Sequence, residues 1–361
     1  MFTLSLVAAS LFLGATAQVT PSNIVPSSSG SLAAIKYTNV GGSGTYSQVT
    51  DMIPGTFPSC TINPSCITQE VSVSGNLAPF DDELTMVYRG PANIYNIAVY
   101  QPTSNSSSST WAQTSSWTAG QPPTNLVFMA NMGGGASGNW SICGGSSQAY
   151  ANGAWNAAVA TPNEEVASGY LDETHQINIM TATTCEESPC TGYSWGTANH
   201  GWKGSKMFVF TLDMPASDNA ADVPAVWVLN AQVVRAAQYG CNCRGMGGNG
   251  GCGELDILEV LSGSSPNQAI SELYSFMGAT GSGGESFARP SSASTYTAIF
   301  DIDTDSIAIQ QLTEWDYSTP SITRSLIEGY LAAPKTLASV SGNSRRSARN
   351  LMGAHRRRHE H

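Results

Sequence analysis

Charge is scarce in this 361-residue chain: only 11% of its residues are Asp, Glu, Lys or Arg. What charge there is leans acidic, with 15 Lys and Arg against 26 Asp and Glu and a formal net charge of −11. From Arg345 onward there are six arginines and one glutamate, so the chain ahead of that tail carries about −16. An acidic body argues against nucleic acid and anionic membranes as partners and is compatible with a neutral polysaccharide. Long apolar runs are also lacking. Leu4–Leu13 is too short to span a bilayer, and the basic end provides no hydrophobic tail for a lipid anchor. Histidine is sparse: His175 and His200 are the only two outside the tail. Neither forms a Ser–His–Asp set, so acyl-transfer chemistry has no support. There is no internal repeat.

What is present points to an oxidising, extracellular setting. Residues 1–17 read as a signal peptide, with a short apolar run and Ala15-Thr-Ala17 before Gln18, although no Lys or Arg precedes the run. The chain has eight cysteines, an even number that suits disulfides. Cys60 and Cys66 are close enough for a local loop, as are Cys185 and Cys190. Cys241, Cys243 and Cys252 cluster, and one scheme pairs two of them locally and leaves the third for Cys143. The competing reading of that cluster is a zinc site, which the absence of a nearby histidine disfavours. Asn105-Ser-Ser and Asn139-Trp-Ser are N-glycosylation sequons and are expected at the surface. The expectation is a secreted, monomeric protein with no membrane anchor, cofactor or metal.

Many short β-prone segments, separated by Gly, Pro, Asn and Ser, predict an all-β chain built as a two-sheet sandwich. Residues 18–34 read as a disordered linker. Residues 35–80 read as a small glycine-rich β module, and residues 81–335 as the main sandwich domain. Residues 336–361 read as a basic, disordered tail. Glu83–Tyr88 and Asn93–Tyr100 are expected to be the first main strands, and Thr103–Gln121 a serine-rich loop. Ile177–Met180, Met207–Asp213, Val223–Val234, Glu254–Leu261, Thr295–Ile302 and Ser306–Leu312 follow as strands. The glycine-rich piece Gly245–Gly253 lacks the Lys-Ser/Thr ending of a phosphate loop.

The chemistry concentrates in Glu254-Leu-Asp-Ile-Leu-Glu259, three carboxylates in six residues set among apolar neighbours. Buried acids of this kind cost several kcal/mol unless something satisfies or uses them. In a regular strand Glu254 and Asp256 share a face and Glu259 points the other way. One extra residue near Ile257–Leu258, a β-bulge, brings Glu259 back beside the other two. Two glutamates facing each other across such a site suit retaining glycoside chemistry: one ionised to attack, the other protonated to donate. Chance acids on a strand edge, or a cation site, are the alternatives. Calcium prefers flexible loop oxygens to a strand.

This motif, following Pro224-Ala-Val-Trp-Val-Leu-Asn230, resembles glycoside hydrolase family 16. The chain as a whole, over about residues 30–335, resembles the fungal target-of-SBF-like cell-wall proteins, a glycosidase-like group. That second resemblance is carried by Ile35-Lys-Tyr-Thr-Asn-Val-Gly-Gly-Ser-Gly-Thr-Tyr46 and by the Cys-x-Cys…Cys-Gly-Glu-Leu-Asp-Ile-Leu-Glu segment. It implies a concanavalin-like β-jelly-roll acting on wall β-glucan as an endo-β-1,3-glucanase or glucan transglycosylase. Carried onto this chain, Glu254 becomes the nucleophile, Asp256 its orienting partner and Glu259 the general acid/base. Trp227 becomes a sugar-stacking platform. Trp195, His200 and Trp202, in Ser194–Trp202, are expected at the cleft rim, with core packing as the alternative for each tryptophan. The competing functions are a non-catalytic glucan-binding wall protein and a calcium-dependent adhesin.

Overall fold

Alternating apolar positions along the strands hold this chain together, and they do so around two large sheets. The computed structural model describes residues 21–340, apart from 54, 57–64, 134–139, 143, 144, 147, 245–250, 263 and 264. The signal segment, Cys60, Cys143, Asn139 and the arginine tail therefore lie outside the described residues. No helix among the described residues is long and apolar enough to cross a membrane.

The first sheet has nine strands. Its order is Ser321–Thr323, Thr110–Thr118, Ala92–Pro102, Lys206–Asp213, Ser294–Asp301, Ser306–Leu312, Ala34–Thr38 and Thr336–Ser339, with Tyr170–Leu171 paired to Ala92–Pro102. The second sheet, called the acidic sheet below, has ten. Its order is Ala158–Val159, Ala149–Ala151, Val127–Ala130, Gln176–Met180, Leu84–Arg89, Ala225–Asn230, Glu254–Val260, Gln268–Ser275 and Gly278–Gly281, with Phe287–Ala288 paired to Gln268–Ser275. Their facing sides interdigitate in one core. Ile97, Val99, Phe208, Phe210, Tyr296 and Ile309 come from the first sheet, and Met86, Tyr88, Ile177, Val228, Leu255 and Leu273 from the second. This is the all-β sandwich that the strand spacing predicts.

Several boundaries differ from the sequence reading. Strand Ala34–Thr38 is no part of a separate small module. It lies inside the first sheet, antiparallel to Ser306–Leu312 and parallel to Thr336–Ser339. Residues 21–34 are not a free linker, because Ile24 bridges Leu312, and Leu32 and Ala33 are buried. The tail begins later than expected, since Ala338 and Val340 join the core. The serine-rich stretch also yields a strand, Thr110–Thr118, whose Trp117 enters the intersheet core. In each case buried apolar side chains outweigh the polar composition around them.

What remains of the expected N-terminal module is a two-stranded ribbon, Gly44–Ile53 with Ser65–Val73. Tyr46, Val71 and Val73 pack in the cluster on the outer face of the acidic sheet. Gln232 donates to the Tyr46 hydroxyl at 2.9 Å, and Gln48 donates to Gln232 at 2.8 Å. The Cys66–Cys241 disulfide fastens the ribbon to the cysteine-rich loop. Of the pairings left open by the sequence, this settles one: Cys66 bonds Cys241 and not Cys60, and Cys241 is not the partner of Cys143. Cys185–Cys190 and Cys243–Cys252 close local loops.

Candidate active site

The strand Glu254–Val260 is bulged. Against Ala225–Asn230 its register runs Leu229 to Glu254, Val228 to Leu255 and Trp227 to Asp256, then jumps to Val226 opposite Leu258 and Ala225 opposite Glu259. Ile257 is the extra residue. The same slip occurs against Gln268–Ser275, where Glu272 faces Asp256 and Ile270 faces Glu259. Leu255, Ile257, Leu258 and Val260 consequently all enter the intersheet core. Glu254, Asp256 and Glu259 share the opposite, outer face. Gly253 leads into the strand at φ +98°, a left-handed conformation that glycine takes without steric penalty. An added Cβ there would lie 3.0 Å from the Phe80 ring.

Registers across the sheet place other groups on that outer face. Tyr274 stands opposite Glu254, and Glu272 stands opposite Asp256. Trp227 is the neighbour of Asp256 on the other side, followed by Val87 and Asn178 in the same row. Asp256, Glu259 and Glu272 each bring an oxygen within 4.8 Å of the others. Tyr274 donates its hydroxyl to Glu272. The acids are enclosed: Glu254 is 0%, Asp256 2%, Glu259 2% and Glu272 4% exposed.

Two arginines border the cluster. Arg244, from the cysteine-rich loop, lies 3.1 Å from Glu254 and over the Tyr239 ring. Arg89 lies 3.5 Å from Glu259, over the Trp227 ring, and donates to the Val223 carbonyl at 2.6 Å. Burial, and then the charges of Glu259, Glu254 and Glu272, push the Asp256 carboxyl well above the usual carboxylate range, with Arg244 opposing. Burial and then Asp256 and Glu272 push the Tyr274 phenol upward, so it stays protonated and donates. The guanidinium groups give the acids a positive border made of protein. Elsewhere, Cys185, Cys190 and His200 do not make a metal site, because those cysteines form a disulfide and offer no thiolate. Cys241, Cys243 and Cys252 are likewise all in disulfides, which removes the zinc alternative.

The four expected sugar contacts separate. Trp227 lies on the face of the acids but is 1% exposed, with Arg89 over its ring, so it is packed in the outer-face cluster and is not an open stacking platform. Trp195 is 56% exposed. Trp202 does not reach a rim: it packs between the sheets, edge-on to Phe208, with its indole N–H donating to Ser115 at 3.0 Å. His200 is held on both ring nitrogens, by Glu83 at 2.6 Å and by the Ser188 carbonyl at 2.8 Å. Burial raises the Glu83 carboxyl, but Arg235 and His200 outweigh it and hold it below its usual value. His200 thus serves a half-buried hydrogen-bond network around Glu83 instead of a cleft. Sequence reading missed Glu272, Tyr274, Arg244 and Arg89. The signal for the first two was available, since Ile270, Glu272 and Tyr274 alternate with Ser271 and Leu273.

Residues 109–329 match the family described as "Cell wall protein YJL171C/Tos1, C-terminal", and residues 33–102 match its N-terminal counterpart. "Probable circularly permuted 1,3-beta-glucanase TOS1" of Candida albicans is 34% identical over 262 residues, 66% of this chain and 54% of that protein. "Probable circularly permuted 1,3-beta-glucanase YJL171C" of Saccharomyces cerevisiae is 31% identical over 270 residues, 68% and 65% of the two chains. Candida albicans "Probable circularly permuted 1,3-beta-glucanase PGA52" is 30% identical over 265 residues, 68% and 66%. The matched region spans between about half and two thirds of the length of these relatives. No solved structure matches the chain. By the family match across most of its length, the chain belongs to the YJL171C/Tos1 family of cell-wall proteins.

Proposed function

We propose that this chain is a secreted glycoside hydrolase or transglycosylase acting on the β-1,3-glucan of fungal walls, with retention at the anomeric carbon. The observation that carries this reading is the bulge at Ile257, which turns a mixed run of acids and aliphatics into a three-carboxylate face. The names of the relatives, each a probable 1,3-beta-glucanase, support the substrate class. Glu254 is the nucleophile, and Arg244 beside it favours the carboxylate that must attack. Glu259 protonates the departing glycosidic oxygen. It then takes a proton from the water or sugar hydroxyl that resolves the glycosyl intermediate. Asp256, between them, separates their charges. Trp227, buried beneath Arg89, backs the acid face, and the exposed Trp195 offers a ring to the sugar.

The test is product analysis of the purified protein on labelled β-1,3-, β-1,6- and mixed-linked oligosaccharides, with the product anomer read by NMR. Cleavage or transfer of the β-1,3 substrate with retained configuration is expected, together with loss of turnover in Glu254→Gln. Full activity in Glu254→Gln would sink the assignment. A second reading, a non-catalytic glucan-binding wall protein, is favoured by how little of the acids is exposed. It predicts glucan binding with neither released ends nor transfer products, and binding unchanged in Glu259→Gln.

A further inference from the structure

Glu272 belongs to no motif and comes from a different strand, yet it completes the carboxylate cluster. It stands directly across the strand pair from Asp256, on the same face, with an oxygen within 4.8 Å of both Asp256 and Glu259. Two residues on, Tyr274 occupies the matching position opposite Glu254 and donates to Glu272. The result is a square of four groups, Glu254 and Asp256 on one strand, Tyr274 and Glu272 on the next.

Four enclosed carboxylates face two guanidiniums here, and like charges this close cannot all ionise. The groups that set the balance come from every surrounding element. Glu254, Asp256 and Glu259 lie on the acidic strand, and Tyr274 and Glu272 on its neighbour. Arg89 stands at the end of strand Leu84–Arg89, and Arg244 and Tyr239 lie on the segment after the short helix Ala231–Arg235. Tyr37 acts from the core side, with its hydroxyl on Ser271 at 2.7 Å. Arg244 is committed to Glu254, and Arg89 is nearest Glu259. Asp256 and Glu272 face each other across the strand pair.

We propose that Glu272 is a positioning acid of this site: it shares one proton with Asp256 across the strand pair, and Tyr274 anchors its carboxylate. The proton keeps Asp256 neutral, so full negative charge develops on Glu254 and not on the group beside it. Tyr274, a permanent donor, fixes which oxygen of Glu272 faces Asp256. The role within a reaction rests on the reading of Glu254 and Glu259 as the catalytic pair; the shared proton does not.

The experiment is an infrared pH titration of the full chain, following the carbonyl stretch of the protonated carboxyl and assigning it by its loss in Asp256→Asn. In Glu272→Gln one like charge is gone, and the titration midpoint should fall by about one pH unit or more. In Tyr274→Phe the donor to the Glu272 carboxylate is gone, and the midpoint should rise. The opposite signs separate proton sharing from general loosening of the site. An unmoved midpoint in Glu272→Gln, or a shift of both variants in one direction, would overturn the proposal. If Glu272→Gln does not fold, Tyr274→Phe alone decides by its sign. The pH profile of kcat/KM should move with the midpoint in each variant. An inactive wild-type protein with the expected titration would refute the enzyme reading and leave the shared proton standing.

Discussion

Arg244 and Glu254 meet at 3.1 Å in a setting where the arginine side chain is 8% and the glutamate 0% exposed. A charge pair so enclosed tolerates the loss of neither member, because the survivor is left charged out of reach of water. Arg244→Met should therefore lower stability by about 3–5 kcal/mol, measured by urea unfolding. A change below about 1 kcal/mol, the range of a solvated pair, would show that Glu254 is open to water.

The position of Arg244 also explains how a site of this kind hides from a sequence. The acidic strand announces itself because its three acids and its aliphatics stand in one short run, and the bulge follows from the need to part them. Glu272 and Tyr274 obey the same alternation, but two polar residues in an otherwise ordinary strand carry no motif. Arg244 and Arg89 arrive from a loop and from a strand end, so only the tertiary structure brings them in. Trp202 and His200 mislead for the opposite reason. A polar, aromatic run reads as a rim, yet apolar contact with Phe208 and the pull of Glu83 draw both inward. Cys66 and Cys241 are 175 residues apart, and nothing local distinguishes that pairing from Cys60–Cys66.

Lys206 is fully buried, and its ammonium donates to the carbonyls of Phe80 at 3.0 Å and Asp82 at 2.8 Å. Burial lowers its pKa to about 7, against the opposing pull of Asp82, Asp81 and Glu83. Below pH 7 both the folded and unfolded chains hold this proton. Between pH 7 and the unfolded value of 10.5 the unfolded chain holds more of it, so stability rises with pH in that window. From pH 7 to 9 the wild type should gain about 2 kcal/mol more than Lys206→Met, read by urea unfolding at both pH values. Lys335 titrates in the same window but is common to both proteins and cancels. Equal gains would place the Lys206 titration elsewhere.

Asn178 is 2% exposed, and neither atom of its amide has a hydrogen-bond partner among the described residues. Its neighbours across the sheet are Met129 and Val87. A buried amide with no partner costs roughly 1–3 kcal/mol, so Asn178→Leu should stabilise the ligand-free protein by an amount of that order in a thermal melt. Its row also holds Trp227 and Asp256, so the same variant should bind β-1,3-glucan more weakly in affinity electrophoresis. Lower stability in Asn178→Leu would mean that the amide is satisfied in solution.

Trp195 and Trp202 sit seven positions apart in the sequence, and the structure gives them opposite exposures. Trp202 fills the space between the sheets, so Trp202→Ala should cost about 3–5 kcal/mol through the cavity it leaves and the Ser115 hydroxyl it abandons. Trp195 is 56% exposed, and Trp195→Ala should change stability by no more than about 0.5 kcal/mol. If its ring is a sugar contact, as the glucanase reading holds, that variant should bind glucan several-fold more weakly while melting like the wild type. Unfolding curves and a glucan-binding isotherm on the two variants settle both points. A Trp195→Ala protein that melts early would return this residue to the core, and one that binds glucan normally would remove it from the cleft.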